Sequence, residues 1–392
     1  MKFLLVDASR RAWGMEQHFM ALARGLAQAG QEVLAIVQRD SPVHRGLQST
    51  AVHVIPRQIR GGADPRLVAA ILEVIARDRP DWMMANQSRM YWPLAVLGRM
   101  TGVHVALFRH LVCIKRPWTR TLLPRVVDRF FVPSDYARDE LIRCGAPASY
   151  ITRLYNPIDV HRFRPDPLMR LRVRAMLGLT RSEVLFGFAG RIEIAKGIGV
   201  LRAAVCDAMD RRPGMRVLCL GAGPERDVTE QFARARGHGT KFLFAGCRDD
   251  IERYLAAVDV MVVPSIEIET FGRACAEAQA CEVPVIVSAI GGLPETLLPE
   301  SSGVLVASRD EAQLREAMIR LGDAESERHR MGQIGRQYVC DHFSSETICR
   351  ELLTQLGAHT CQGAECDRPI ASARGHGQEG GLRRGKAIAG QK

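Results

Sequence analysis

Hydrophobic and polar positions follow two alternating patterns along most of the chain. Short apolar runs, Phe3–Val6, Glu32–Val37, Trp82–Ala85, Val103–Leu107 and Phe130–Val132, read as buried strands. Between them, apolar residues recur at helical spacing: a helix through Ala29 stopped by Gly30, then Leu67–Arg77 and Pro93–Met100, with Ser134 placed as the N-cap of another. Strands alternating with helices of this length predict a parallel sheet covered on both faces, with ligand sites beyond the carboxyl ends of its strands.

A proline-rich passage, Asn156-Pro-Ile-Asp159 to Phe163-Arg-Pro-Asp166-Pro167, interrupts the pattern, which then restarts. Strands are predicted at Val184–Ala189, Arg216–Leu220, Phe242–Phe244, Val260–Val263 and Val283–Val287. Helices are predicted at Leu168–Leu177, Arg226–Arg236, Ile251–Ala257 and Arg273–Ala280. The expected fold class is α/β, with two doubly wound, Rossmann-like parallel-sheet domains facing across a cleft: 1–165 and 166–335. A helix over 336–357 is expected to pack back toward the first domain, and 358–392 to be disordered, since it is rich in Gly, Arg and Gln and almost free of branched apolar residues. A length of 392 residues suits two domains.

Composition narrows the function classes. Asp7 cuts the apolar N-terminus too early for a signal-peptide core, and no later run has the length of a membrane span, so a cytoplasmic protein is expected. The 11 cysteines are scattered like reduced core thiols. Only Cys361 and Cys366, with His359, cluster, and they make an incomplete metal set. Lys and Arg outnumber Asp and Glu by 54 to 43, which favours an anionic partner. The densest basic stretch, Arg109 to Arg129, interleaves Lys115, Arg116, Arg120 and Arg125 with Leu111, Ile114, Trp118, Leu122, Leu123 and Val126. Two readings fit it: peripheral contact with an anionic membrane at the inner face of the plasma membrane, or a solvated helix whose long side chains cover a core face. No nucleic-acid-binding module is recognisable, so no specific nucleic acid is expected.

The sharpest local feature is Pro264-Ser265-Ile-Glu267-Ile-Glu269-Thr270-Phe271-Gly272, a strand end leading through a loop into a helix that carries Glu277. Glu269 in the loop points into a cleft, and Glu277, two turns along, is placed to accept hydrogen bonds from a diol such as a ribose. Gly272 lets backbone amides approach a phosphate at the helix start. By spacing alone, two glutamates near a helix N-terminus are better explained by its dipole.

The ordered series Phe271-Gly272 … Glu277-Ala278 … Val283-Pro-Val-Ile … Gly291-Gly-Leu-Pro-Glu295 resembles the donor-binding signature of the family 4 glycosyltransferases, a retaining group of GT-B fold. The resemblance extends to Ala189-Gly190-Arg191 … Lys196-Gly197, to Leu220-Gly221-Ala-Gly223-Pro224, to Phe244-Ala-Gly246 followed by Asp249 and Asp250, and to Asn156-Pro-Ile-Asp159. It implies transfer of a sugar from a nucleotide diphosphate sugar to a glycan or lipid-linked acceptor, with retention and no catalytic metal or other cofactor. Implied roles are Arg191 and Lys196 on the diphosphate, Glu269 on sugar hydroxyls, Glu277 on the ribose, backbone from Gly272 onward on the phosphates, Gly246 beside the nucleobase, and His110 near the reacting sugar.

Two departures stand out. Trp13-Gly14-Met15-Glu16 occupies the place of a paired-glycine loop, leaving Gly14 alone to bring amides near the diphosphate, and Ala280-Cys281-Glu282 lacks the usual glycine before the Pro-Val strand. Other functions on the same fold, a sugar-nucleotide epimerase or a noncatalytic binding scaffold, remain alternatives at this level.

Overall fold

The computed structural model describes residues 1–11, 14–112, 114 and 116–363. Two all-parallel sheets organise it. The N-terminal sheet holds β1 (Lys2–Asp7), β2 (Glu32–Gln38), β3 (His53–Arg57), β4 (Trp82–Ala85), β5 (His104–Phe108), β6 (Arg129–Val132) and β7 (Ile151–Arg153), in the order β3-β2-β1-β4-β5-β6-β7. The C-terminal sheet holds β8 (Val184–Ala189), β9 (Met215–Leu220), β10 (Phe242–Gly246), β11 (Val260–Val263), β12 (Val285–Ser288) and β13 (Gly303–Val306), in the order β10-β9-β8-β11-β12-β13. In each sheet the order reverses beside the first strand, at β1/β4 and at β8/β11. Crossovers leave to opposite faces there and open a crevice at the carboxyl ends.

The interior strands carry continuous buried apolar runs because helices cover both faces. Phe3, Leu4, Leu5 and Val6 are all fully buried, with alternate residues facing opposite helix layers. Strands β4, β8 and β11 match the expected bounds residue for residue. Three strands escape the pattern. One of them, β3, contains Pro56, which a sheet tolerates here because β3 is an edge strand.

Several boundaries move for identifiable reasons. The helix expected at Pro93–Met100 runs from Ser88 to Thr101 with Pro93 inside it. A proline in that place denies a bond to the carbonyl four residues earlier, that of Arg89, and Gly62 packs directly against this carbonyl. Ser134 is an N-cap as expected, its Oγ accepting from Ala137 N at 3.0 Å. Two helices, Glu325–Phe343 and Ser345–Gly363, meet at Ser344 within the stretch expected as one helix over 336–357. The second continues to Gly363, past the point where composition predicts loss of structure. The rest of that tail, with Cys366, lies outside the described residues, as do Trp13, Cys113 and Lys115.

Candidate functional site

Two loops of the C-terminal sheet meet at the β8/β11 switch point. Gly197, at φ +75°, sits where a Cβ would stand 1.7 Å from the Pro264 carbonyl oxygen, so only glycine allows this approach. The contact is reinforced by Ile266 N and Glu267 N, which donate to Ala195 O at 3.0 and 3.1 Å. The loop after β8 is thereby held against the loop after β11. Lys196 Nζ comes within 3.0 Å of Glu269 Oε1, which also accepts from Ser265 Oγ. Arg191 pairs with Glu193 at 2.8 Å but stays half exposed.

These residues border a cleft of about 900 Å³. From the C-terminal sheet it is lined by Gly190, Arg191, Glu193, Lys196, Ser265, Glu269, Arg273 and Glu277, and from the N-terminal side by Arg11, Gly14, Met15 and Leu111. Six of the expected residues are thus in one place: Gly14, Gly190, Arg191, Lys196, Glu269 and Glu277.

Other expected residues are near the cleft but do not line it. Thr270 Oγ1 donates to the His110 carbonyl at 2.9 Å. Phe271 is buried, edge-on to Phe343 at 5.2 Å and tilted on Tyr155 at 5.9 Å. Gly272, at φ +95°, caps the helix Arg273–Ala280 and lies under Leu293. Gly246 ends β10, and its carbonyl accepts from Gly221 N at 2.8 Å. Thr270, Phe271 and Gly272 therefore shape the loop from beneath, while Gly246 closes the turn beside Gly221.

His110 follows β5 and borders a second cavity of about 340 Å³ with Ser9, Glu16, Asn86, Gln87, Ser88, Arg89 and Arg109, at the carboxyl ends of β1, β4 and β5. Its ring lies edge-on to His18, with centroids 4.5 Å apart. The His110 Nε2 is sealed from solvent and meets no hydrogen-bond partner. Burial, with Arg273 and Arg109 nearby, pushes His110 down to about 3, so the ring is neutral at physiological pH. His18 is pushed well down by burial and by His110, and its Nδ1 accepts from Asn86 Nδ2 at 2.9 Å. Beneath this cavity Asp7 is fully buried. Ser9 N donates to its Oδ1 at 2.8 Å and Gln87 Nε2 to its Oδ2 at 2.9 Å, yet burial still lifts it to about 7. Glu16, expected beside the Gly14 loop, is also buried and accepts from Ser9 Oγ.

Sequence reasoning missed Arg273. Its Nε donates to Glu277 Oε1 at 2.9 Å and its NH1 to the Pro157 carbonyl at 3.1 Å, in mostly buried surroundings. The spacing of four between Arg273 and Glu277 was the available signal, because such residues stack on one helix face. Arg162 and Arg248, which also border the cleft, carried no comparable signal.

The pattern of the family described as Glycosyltransferase Family 4 matches residues 13–162, and that of Glycosyl transferases group 1 matches residues 171–338. A D-inositol 3-phosphate glycosyltransferase of Saccharomonospora viridis is 35% identical over 206 residues, covering 50% of this chain and 47% of that protein. A GDP-mannose-dependent alpha-(1-6)-phosphatidylinositol monomannoside mannosyltransferase of Mycobacterium tuberculosis is 28% identical over 249 residues, covering 60% of this chain and 64% of that protein. The chain spans about half the length of the curated relatives it matches. Among solved structures, HepE of Anabaena in complex with UDP-glucose superposes with a TM-score of 0.78 at 20% identity, covering 91% of this chain and all of that one. Two consecutive family matches and two doubly wound sheets agree: the chain belongs to the group 1, family 4 glycosyltransferases and has the GT-B fold.

Proposed function

We propose that the protein transfers a sugar, with retention at the anomeric carbon, from a nucleotide diphosphate sugar to a glycan or lipid-linked acceptor. The observation that carries this reading is the convergence of Arg191, Lys196, Glu269 and Glu277 on one cleft. Arg191 and Lys196 take the diphosphate. As the glycosidic bond breaks the leaving group gains negative charge, so cations already in place stabilise the transition state more than the ground state. Glu269 holds sugar hydroxyls, Glu277 the ribose, and Gly14 and Gly190 leave room for backbone to approach the phosphates. His110 adjoins the reacting sugar as a neutral hydrogen-bonding group. Among the described residues the cleft carboxylates Glu193, Glu269 and Glu277 are each paired with a cation, which favours a front-face route in which the departing phosphate takes the acceptor proton.

The relatives support nucleotide-sugar donors of this kind: one was solved with UDP-glucose and another is named as GDP-mannose-dependent. The latter's name also specifies a phosphatidylinositol mannoside, which favours a lipid-linked acceptor; lipopolysaccharide core and other cell-surface polysaccharides belong to the same class.

A membrane-facing surface fits that acceptor. Between Asp81 and Asp128 the chain carries no acidic residue but six arginines and Lys115. Among the described residues no helix is long and apolar enough to cross a membrane. Instead, Trp92, Val96 and Met100 form a stripe on the helix Ser88–Thr101, and Trp118 and Leu122 a second on the helix Pro117–Val126. The stripes join through the Trp92 and Trp118 rings, 5.1 Å apart, and Met100 is 73% exposed. Arg99 and Arg125 border them, bonded to the carbonyls of Val126 and Thr121 at 3.0 and 2.7 Å. An apolar ridge edged by arginines suits the inner, anionic face of a plasma membrane. It lies partly outside the Arg109–Arg129 stretch.

Saturation-transfer NMR against a panel of nucleotide diphosphate sugars, with an Arg191→Ala, Lys196→Ala double variant, tests the core of this reading. Selective binding abolished in the variant is expected. A folded wild-type protein that binds no donor overturns it.

A further inference from the structure

Glu295 ends the series of donor-side motifs, yet its side chain leaves the donor cleft and crosses to the other sheet. Its Oε2 accepts from Asp135 N and its Oε1 from Tyr136 N, both at 2.8 Å. These are the first two amides of the helix Asp135–Arg143, which follows β6, and the third, Ala137 N, is taken by Ser134 Oγ. The exposed donors that open a helix are thus shared between a local cap and a carboxylate 160 residues away. The negative charge also meets the positive end of the helix dipole. Tyr155 OH donates to Oε2 at 3.2 Å, and Tyr338 OH holds the Glu295 carbonyl at 3.1 Å.

The turn carrying Glu295 is tied to the donor loop. Gly292 N donates to the Glu269 carbonyl at 2.7 Å, and a Cβ on Gly291 would stand 2.2 Å from that same oxygen. No slack remains between the two segments. The loop's second crossing is the hydrogen bond from Thr270 to the His110 carbonyl. The segment 269–295 is therefore hung from the N-terminal sheet at two points, with Glu269 beside one and Glu295 at the other.

We infer that Glu295 is a positioning residue: its carboxylate, seated on the N-terminus of the helix Asp135–Arg143, registers the two sheets so that Glu269 faces the acceptor side across the cleft. This rests on the transfer reading above. Nucleotide binding, built mainly from the C-terminal sheet, does not need Glu295; the reacting geometry between the sheets does. A misplacement near 1 Å costs turnover about 100-fold.

The test compares the wild type with Glu295→Ala and Tyr155→Phe in three measurements. These are affinity for UDP and GDP by calorimetry, amide hydrogen exchange over residues 134–143, and release of UDP or GDP from the matching nucleotide sugar. For Glu295→Ala, nucleotide affinity stays within about 2-fold, exchange at Asp135 and Tyr136 speeds at least about 10-fold, and release falls about 100-fold. Tyr155→Phe keeps the carboxylate in place, and its exchange and release stay within about 3-fold of the wild type. Unchanged exchange, or nucleotide affinity falling in step with release, overturns the inference. A wild-type protein that binds neither nucleotide overturns the transfer reading instead, and the exchange measurement then still decides whether Glu295 holds the helix.

Discussion

Lys196 Nζ lies 3.0 Å from Glu269 Oε1, so the cation assigned to a phosphate and the carboxylate assigned to a sugar are already partners. Both side chains are partly exposed, and a pair in such surroundings contributes less than about 1 kcal/mol. A diphosphate can therefore draw Lys196 away at small cost.

Removing the competing carboxylate separates the two assignments. Glu269→Gln leaves Lys196 free for phosphate, and calorimetry should show free UDP or GDP bound about 2- to 5-fold tighter, while sugar transfer collapses. Lys196→Ala should instead weaken nucleotide diphosphate about 10- to 100-fold, the range of a charge-assisted hydrogen bond. Unchanged nucleotide binding in Glu269→Gln would mean that Glu269 does not compete with the phosphate for Lys196.

Glu277 is assigned to a diol, so its substitution should change selectivity as well as strength. The wild type should favour UDP or GDP over the 2′-deoxy nucleotide, and Glu277→Gln should bring the two affinities together. Because Arg273 is mostly buried against Glu277, Glu277→Ala should also cost about 3 kcal/mol in denaturant unfolding by stranding that guanidinium.

Two buried groups oppose one another in the response of stability to pH. Asp7, lifted to about 7, holds its proton in the folded protein where the unfolded chain has lost it, so its contribution fades as pH rises through that value. His110, depressed to about 3, refuses a proton that the unfolded chain accepts below about 6.5, so its contribution fades as pH falls. Unfolding midpoints from pH 4 to 8 should move in favour of Asp7→Asn relative to wild type on the alkaline side, and in favour of His110→Asn on the acid side. Differences that stay flat with pH would contradict both assignments.

The apolar ridge can be probed without touching the cleft. Co-sedimentation with vesicles containing anionic lipid should fall at least about 10-fold for Met100→Asp combined with Trp118→Asp, with nucleotide affinity unchanged. Raising salt should weaken the remaining binding further, since the bordering arginines act through a screened field. Equal binding to neutral vesicles would remove the anionic preference, and no binding by the wild type would remove the membrane from the proposal.

Much of the site could be read in advance because its residues sit where the chain leaves a strand. Arg191 follows β8 and Glu269 follows β11, and a strand end in a parallel sheet points at the ligand crevice whatever the partner strands are. Phe271 and Gly272 belong to the series that resembles a donor-binding signature, with Thr270 beside them. The loop turns over within those three residues, sending Phe271 into the core against Tyr155 and Phe343, and sequence neighbours cannot reveal such a reversal. The neutral state of His110 was hidden for a related reason, because it depends on what is packed around the ring.

The sequence by itself determined the alternation of strand and helix, the restart after Asn156–Pro167, and the residue types at each strand end. These follow from periodicity and local backbone preference, which act over a few residues. Tertiary structure alone decided that Lys196 meets Glu269, that His18 and His110 share one buried niche, and that Glu295 reaches across 160 residues to the amides of Asp135 and Tyr136. Such contacts depend on how the loops at the sheet ends come together, a relation fixed by packing and written in no single segment.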